Sequence, residues 1–520
     1  MFAIIRKNKV FISLSMLLVM LTALSTFIFP LLLQETSKYP FAQLVVLLIV
    51  TLAATYSAQF FLIVLKERYA AKLNNDHLFE LLIQMKQMSY PELSQKQPTY
   101  LLNRIFGVVD AYYLFICGSF SDSLRCFILI TVSILMCLNI HWLLGLPLLF
   151  LIPINLMGYY AINKKLAKKM ANMQETAADT NKELLTTINH VETMKQWSNQ
   201  TYKQLFEHQL YAMYQTLANT NIFAQAASLV ITMLNQVAQI GVYVFVVQGI
   251  LQESIPATAI ILVGVLLPIY FSALSGMTKI NLDTTTLKTN QQFVKEELAV
   301  PISQMIPHQN QVIFQLTLNH PEIMLNNQIF HFTIDTTIKK GEHIYLSGAS
   351  GTGKSTLLKA ISGFYPAKGI ALNGVADKEQ TIQYNNLTNE QLLYIPQEPT
   401  ILSRSIEENI TWGRKLTTEE KNCLAQSHIL DPLFIHRSWT SRLKENGADL
   451  SGGEKQRIAI ARALISPADI LLLDEATSSL DDASVELIMT ALKIHAKERI
   501  IIYTSHRTDD AVFAHRTISM

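Results

Sequence analysis

Six long apolar runs divide the first half of the chain and leave few choices for how that part can fold. They cover roughly residues 10–33, 41–65, 112–139, 141–162, 222–251 and 256–278. Each is near or above the ~20 residues that an α-helix needs to cross the hydrocarbon core of a bilayer. Composition agrees: half of the 520 residues are apolar and only 16% are charged, against about a quarter in ordinary soluble domains. Arg6, Lys7 and Lys9 ahead of the first run resemble a secretion signal. At about 24 residues, with no small-residue cleavage site and a second run starting at Phe41, the run reads instead as a transmembrane helix. Pro30 is expected near its outer end.

The loops between the runs alternate in basic content. Lys66, Arg68, Lys72, Lys86, Lys96 and Arg104 follow the second run, Lys164, Lys165, Lys168 and Lys169 the fourth, and Lys279, Lys288 and Lys295 the sixth. The intervening loops are short and hold the single Lys38. The excess of basic residues on one side predicts that both termini are cytoplasmic. A net charge of +2 is too small to suggest a nucleic-acid partner. Cys117, Cys126, Cys137 and Cys423 have no metal-ligand spacing and read as free buried thiols.

The second half is different in kind. Gly348-Ala349-Ser350-Gly351-Thr352-Gly353-Lys354-Ser355, followed by Thr356, fits the phosphate-cradling loop G-x-x-x-x-G-K-[ST]. It follows an apolar strand-like stretch, His343 to Leu346, and opens a helix-like run. Glycines let the backbone close on phosphates, Lys354 can reach the β/γ-phosphates, and the Ser355 hydroxyl can ligate Mg²⁺. Downstream, Leu450-Ser451-Gly452-Gly453-Glu454 places a hydroxyl and two glycines at an expected helix start, where unpaired N–H groups and the helix dipole favour an anion. The buried run Ile470–Leu473 then stops at Asp474-Glu475, two acids suited to metal holding and water activation.

These elements resemble the nucleotide-binding domain of the ATP-binding cassette (ABC) transporter superfamily, to which an LSGG element shortly before a strand-end Asp-Glu is specific. Gln397 in Tyr394-Ile395-Pro396-Gln397 matches the family's Q-loop, Ser479-Leu480-Asp481 its D-loop and His506 its switch histidine. Glu445-Asn446-Gly447 is similar to the E-x-G element of exporter-type members, with Lys444 where the family has glycine. The expected fold is a six-span exporter-type α-helical membrane domain (1–300), a linker (301–311) and an α/β P-loop NTPase domain with a helical insert (312–520). Short coupling helices are expected near Met88–Pro98 and Ser198–His208.

The resemblance implies ATP and Mg²⁺ as cofactors, with Lys354 and the loop amides on the phosphates and Ser355, Gln397 and Asp474 arranging the metal. Glu475 would polarise the attacking water, and His506 would contact the γ-phosphate. Ser451 and Gly453, with Gly452, would act on the nucleotide of a second subunit. Where the family places an adenine-stacking aromatic, this chain offers His320, which either stacks on the base or is an exposed loop histidine. Relatives continue past the switch histidine with another strand and helices, which this sequence, ending fourteen residues after His506, is expected to lack. With the first run starting at about residue 10, the cysteine-peptidase domain fused to some peptide exporters is not expected.

One set of spans with one ATPase implies a half-transporter in a bacterial plasma membrane. The favoured assembly is a homodimer exporting a hydrophobic or amphipathic peptide, lipid or drug. A heterodimer, or uptake of a siderophore-like compound, is the alternative, and a soluble ABC ATPase or a channel regulator fits less well. Within the spans, Asp122 and Arg125 share a helical face, as do Thr232, Asn235 and Gln239. Each set reads as cargo contacts or as bonds within and between helices.

Overall fold

A computed structural model describes residues 9–28, 31, 40–253, 255–256, 259–298, 312–325, 328–372, 391–495 and 497–520. The expected linker, 301–311, and Pro30 lie outside the described residues. Two compact units are present, Met1–Met88 with Lys96–Ala299, and Ser89–Gln95 with Val300–Met520.

The N-terminal unit is helical. Its elements are α1 (Lys9–Ser25), α2 (Phe41–Gln87), α4 (Pro98–Leu114), α5 (Phe120–Ile140), α6 (Trp142–Asn189), α7 (Val191–Gln196), α8 (Asn199–Leu251) and α9 (Ala259–Glu297). The short α3 (Tyr90–Lys96) connects α2 to α4, and a π-helical turn (Phe115–Ser119) joins α4 to α5. Among the described residues, five helical stretches are long and apolar enough to cross a membrane: Val45–Gln87, Pro98–Ile140, Trp142–Ile188, Asn199–Leu251 and Ala259–Glu297. Where six spans are expected, the first is represented by the shorter α1.

Large apolar side chains such as Phe60, Phe61, Phe127 and Phe150 stand exposed, as lipid-facing residues do. The packed side centres on α9, whose Leu266, Leu267, Tyr270 and Leu274 meet Leu129, Ile130 and Ile134 of α5 and Leu144 and Leu148 of α6. The buried Tyr270 hydroxyl donates to the Leu148 carbonyl at 2.6 Å, the partner a buried phenol needs.

The connector expected at Met88–Pro98 is α3. The second lies earlier than expected, at α7. Ser198 Oγ accepts from the Thr201 N–H at 3.0 Å, an N-cap that starts the long α8 and makes Ser198–His208 its first turns.

The C-terminal unit contains two sheets. Antiparallel β1 (Gln315–Leu325) pairs with β2 (Gln328–His331), β3 (Asp335–Lys339) and β5 (Ala367–Leu372). Strands β2 and β3 are separated by a break at Phe332–Ile334. The second sheet is parallel, in the order β6 (Leu392–Ile395), β7 (Ile470–Asp474), β8 (Ile500–Thr504), β4 (His343–Ser347) and β9 (Arg516–Ser519). Strands β7 and β8 are buried throughout, which explains their unbroken Ile/Leu runs. The strand expected to be lacking after His506 is present: β9 pairs in parallel with β4.

Helix α10 (Lys354–Ile361) follows β4. The insert carries α11 (Ile406–Thr411), α12 (Thr418–Gln426) and α13 (Asp431–Phe434), and α14 (Gly452–Ile465) and α15 (Asp482–His495) flank β7. Of the cysteines, Cys126 and Cys137 are buried, while Cys117 and Cys423 are only partly so.

Candidate nucleotide site

Strand order assembles the site. In parallel sheets, ligands bind beyond the carboxyl ends of the strands. Here β6, β7, β8 and β4 are neighbours whose carboxyl ends lead into Gln397, Asp474-Glu475, Thr504–His506 and the loop Gly348–Gly353. Four segments far apart in sequence thus open on one edge.

Gly351 and Gly353 take φ values of +87° and +97°, which glycine adopts at no steric cost. Lys354 begins α10 and is buried, and its Nζ donates to the carbonyls of Gly348 (2.7 Å) and Ala349 (3.1 Å). Its ammonium therefore lies folded over the mouth of the loop. Ser355 Oγ donates to Asp474 Oδ1 at 2.9 Å.

Asp474, 4% exposed, is held by two further hydroxyls. Thr504 Oγ1 donates to Oδ1 (3.1 Å) and Tyr394 OH to Oδ2 (2.9 Å). Burial and then the Asp474 carboxylate push the Tyr394 phenol well above its usual range, so it stays a donor. Both partners escape a reading of the sequence alone. Their signal is positional: each is a hydroxyl residue near the end of an apolar strand, and Thr504 is the register partner of Asp474.

Glu475 adopts φ +49°, a left-handed conformation rare for a side chain of this kind and a form of strain that collects at functional sites. Its N–H donates to Thr504 Oγ1 at 3.0 Å, and its carboxylate Oε2 lies 2.8 Å from His506 Nε2. The His506 side chain is 58% exposed and that of Glu475 12%, so this pair closes the buried acids toward solvent. Gln397 lies just past β6 and is exposed. Among the described residues, no hydrogen bond joins it to Ser355 or Asp474.

The Ser355 and Asp474 oxygens form a hard donor pair of the kind Mg²⁺ takes. No group of three or more His, Cys, Asp or Glu side chains that could hold a metal occurs among the described residues. A cation here would complete its shell with water and phosphate oxygens, as Mg²⁺ commonly does at nucleotide sites.

Beside the loop lies a cavity of about 270 Å³ lined by Phe330, Phe332, Gly351, Gly353 and Thr356, among others. The Phe332 ring is so close that a Cβ on Gly353 would meet it at 3.1 Å. His320 does not line this cavity. It sits exposed at the irregularity of β1 between Leu318 and Glu322, its N–H bonded to the Ile334 carbonyl at 2.7 Å. The aromatic rings of the cavity come from Phe330 of β2 and Phe332 in the break between β2 and β3.

Ser451 is the N-cap of α14 in a reciprocal capping box: Ser451 Oγ accepts from the Glu454 N–H, and Glu454 Oε2 from the Ser451 N–H. Gly452 and Gly453 are small because the Ser479-Leu480 turn presses on them. An added Cβ would stand 3.2 Å from Ser479 Oγ and 3.1 Å from Leu480 Cδ2, respectively. Gln456 fixes that turn, donating to Ser478 Oγ (3.0 Å) and accepting from the Ser479 N–H (2.9 Å). Arg507 grips it from the other side, through Leu480 O and Asp482. No hydrogen bond or ion pair joins Ser451, Gly452 or Gly453 to residues 348–356 among the described residues.

In the N-terminal unit, no ion pair joins Asp122 to Arg125 among the described residues. Asn235 is buried and exchanges amide hydrogen bonds with Asn155 of α6 at 3.0 and 3.1 Å, which is the interhelical alternative for that face.

Residues 332–478 match the ABC transporter family. Over 392 residues, the chain is 27% identical to the "Lactococcin transport/processing ATP-binding protein LcnC-like" of Lactococcus lactis subsp. lactis, covering 72% of this chain and 53% of the relative. A "Probable ABC transporter ATP-binding/permease protein" of Haemophilus influenzae is 36% identical over 194 residues, 36% of this chain and 34% of the relative. The chain spans about half the length of the lactococcal relatives it matches (53%). A solved structure described as "a bacterial Atm1-family ABC exporter with ATP bound" superposes with a TM-score of 0.84 at 17% identity, covering 99% of this chain and 94% of the other.

Proposed function

Since the chain joins an ABC transporter domain to membrane helices in the ABC exporter fold, we propose that two copies pair and couple ATP hydrolysis to export of a hydrophobic or amphipathic peptide, lipid or drug. The convergence of Lys354, Ser355, Asp474, Glu475 and His506 on one sheet edge carries this reading. Residues 1–300 form the membrane domain, with both termini cytoplasmic, and 312–520 the ATPase.

Lys354 exchanges the Gly348 and Ala349 carbonyls for β- and γ-phosphate oxygens, a swap within reach of a side chain already poised over the loop. The Gly348–Thr356 segment presents its N–H groups to the same phosphates. Ser355 and Asp474, with Gln397, would hold Mg²⁺, which would supply charge neutralisation for phosphoryl transfer. Glu475 orients and deprotonates the attacking water, and His506 fixes the Glu475 carboxylate and meets the γ-phosphate. The adenine rests on Phe332 and Phe330 and not on His320.

Ser451 and Gly453, which no hydrogen bond joins to their own phosphate loop among the described residues, serve the nucleotide of the second copy. The homodimer is favoured because Glu475 and Ser451 are both present, so each interface site is complete with one kind of chain. Glu475→Gln protein in lipid nanodiscs with ATP should appear by native mass spectrometry as a two-copy particle retaining nucleotide. A single-copy particle under saturating ATP contradicts the pairing.

A further inference from the structure

The buried carboxylate of Asp474 receives donors on both of its oxygens. Ser355 and Thr504 address Oδ1, while Oδ2 receives the Tyr394 hydroxyl. Packing alone does not call for these hydroxyls, since phenylalanine at 394 and valine at 504 would occupy nearly the same space. The Tyr394 ring is steadied by Phe364, in the turn that ends α10, which stands edge-on to it with centroids 5.7 Å apart and planes at 90°. Thr504 does more than satisfy the acid. Its Oγ1 gives its one proton to Asp474 and accepts the Glu475 N–H at 3.0 Å, so a single atom joins the carboxylate to the backbone of the next residue. That backbone is the one at φ +49°, a conformation that persists only where its surroundings hold it.

A hydrogen-bonded chain therefore runs from Tyr394 through the two oxygens of Asp474 and Thr504 Oγ1 to the Glu475 N–H. We propose that Tyr394 and Thr504 are positioning residues with separable tasks: Tyr394 fixes the Asp474 carboxylate for a metal ion, and Thr504 holds that carboxylate and the Glu475 backbone in one register. The proposal rests on the ATPase reading above. Once Ser355 turns its oxygen toward a cation, Asp474 still keeps one bond on each oxygen and does not swing. Loss of the Tyr394 hydroxyl frees Oδ2 alone. Loss of the Thr504 hydroxyl frees Oδ1 and also releases the strained backbone that sets the Glu475 carboxylate 2.8 Å from His506 Nε2. Partners that orient a metal ligand typically change metal affinity by about 10- to 100-fold when removed. Misplacing a reacting group by about 1 Å can cost about 10²-fold in rate.

The test uses the full chain in lipid nanodiscs, with Mn²⁺ as the metal probe, read by its free-ion paramagnetic resonance signal in the presence of a slowly hydrolysed ATP analogue. Tyr394→Phe should weaken Mn²⁺ binding about tenfold and raise the Mg²⁺ requirement for hydrolysis, and excess Mg²⁺ should recover the lost rate. Thr504→Val should weaken Mn²⁺ binding as well, and should lower kcat by about 10²-fold in a way that Mg²⁺ does not recover. Thr504→Ser, which keeps the hydroxyl, should restore both. Metal-free binding of a fluorescent ATP analogue should match wild type in all three variants.

Mn²⁺ binding by Tyr394→Phe equal to that of wild type overturns its positioning role, as does a matching loss of metal-free nucleotide binding, which marks general damage. Full recovery of Thr504→Val by excess Mg²⁺ overturns the link to Glu475, and a Thr504→Ser chain as impaired as Thr504→Val shows that the hydroxyl is not what acts. Wild-type chain that binds neither Mn²⁺ nor the ATP analogue would instead bring down the ATPase reading itself.

Discussion

Asn155 and Asn235 in the N-terminal unit are each 2% exposed and bond to one another. Asp474 in the C-terminal unit is nearly as buried, at 4%, yet its partners are hydroxyls from one helix and two strands, beside a strained Glu475. The first arrangement satisfies its own polar groups and asks for nothing more, as an apolar surrounding demands. The second fixes the orientation of a charge beside a largely buried acid, Glu475, that pairs with the solvent-exposed His506. Burial of polar atoms alone does not distinguish structure from chemistry; the identity of their partners does.

The largest effect bearing on this contrast concerns a buried group of the C-terminal unit that has no place in the chemistry. His343 in β4 is pushed down to about 4, chiefly by burial and next by His515. Between pH 6.5, its ordinary value, and about 4, the unfolded chain takes up a proton that the folded chain refuses. Stability of this unit therefore falls as pH drops through that window, by about 2 kcal/mol between pH 8 and pH 5. Urea melts followed by Trp fluorescence should show this slope in wild type and lose it in His343→Gln.

A smaller effect separates the two candidates for the base. Phe332→Leu should raise the KM for ATP about tenfold, since stacking of a base on an aromatic ring contributes ~1–3 kcal/mol. His320→Ala should leave it unchanged, and the reverse pattern would return the base to β1. The smallest effect is expected in the membrane unit. A double-mutant cycle on Asn155→Ala and Asn235→Ala should give a coupling of about 0.6 kcal/mol, with ATP hydrolysis intact. A cargo-specific loss of transport in either single variant would make that pair part of the transport path.

The two units also differ in how far their sequences announce them. Phosphate binding dictates glycines, a lysine and a hydroxyl at fixed spacing, so the loop at 348–355, the Asp474-Glu475 strand end and the cap at Ser451 are legible one residue at a time. Thr504 and Tyr394 are not, because their roles depend on β8 and β6 lying on either side of β7, an order that no local pattern encodes. His320 stays open between base contact and exposed histidine in the sequence because the bulge in β1 and the break at Phe332–Ile334 have no local signature. In the membrane unit, lipid selects only for apolarity and length. The helices are visible as runs, while their pairing, the π-helical turn at Phe115–Ser119 and the placement of α7 depend on packing.

The central claim is that the sheet edge of the C-terminal unit is a working ATPase in this chain alone. It is tested most directly by ATP hydrolysis of the purified chain in lipid, beside its Glu475→Gln form. The account predicts steady turnover for the wild type and a drop of about 10²- to 10⁴-fold in the variant, the range for losing a general base. Turnover by Glu475→Gln close to that of the wild type would contradict it.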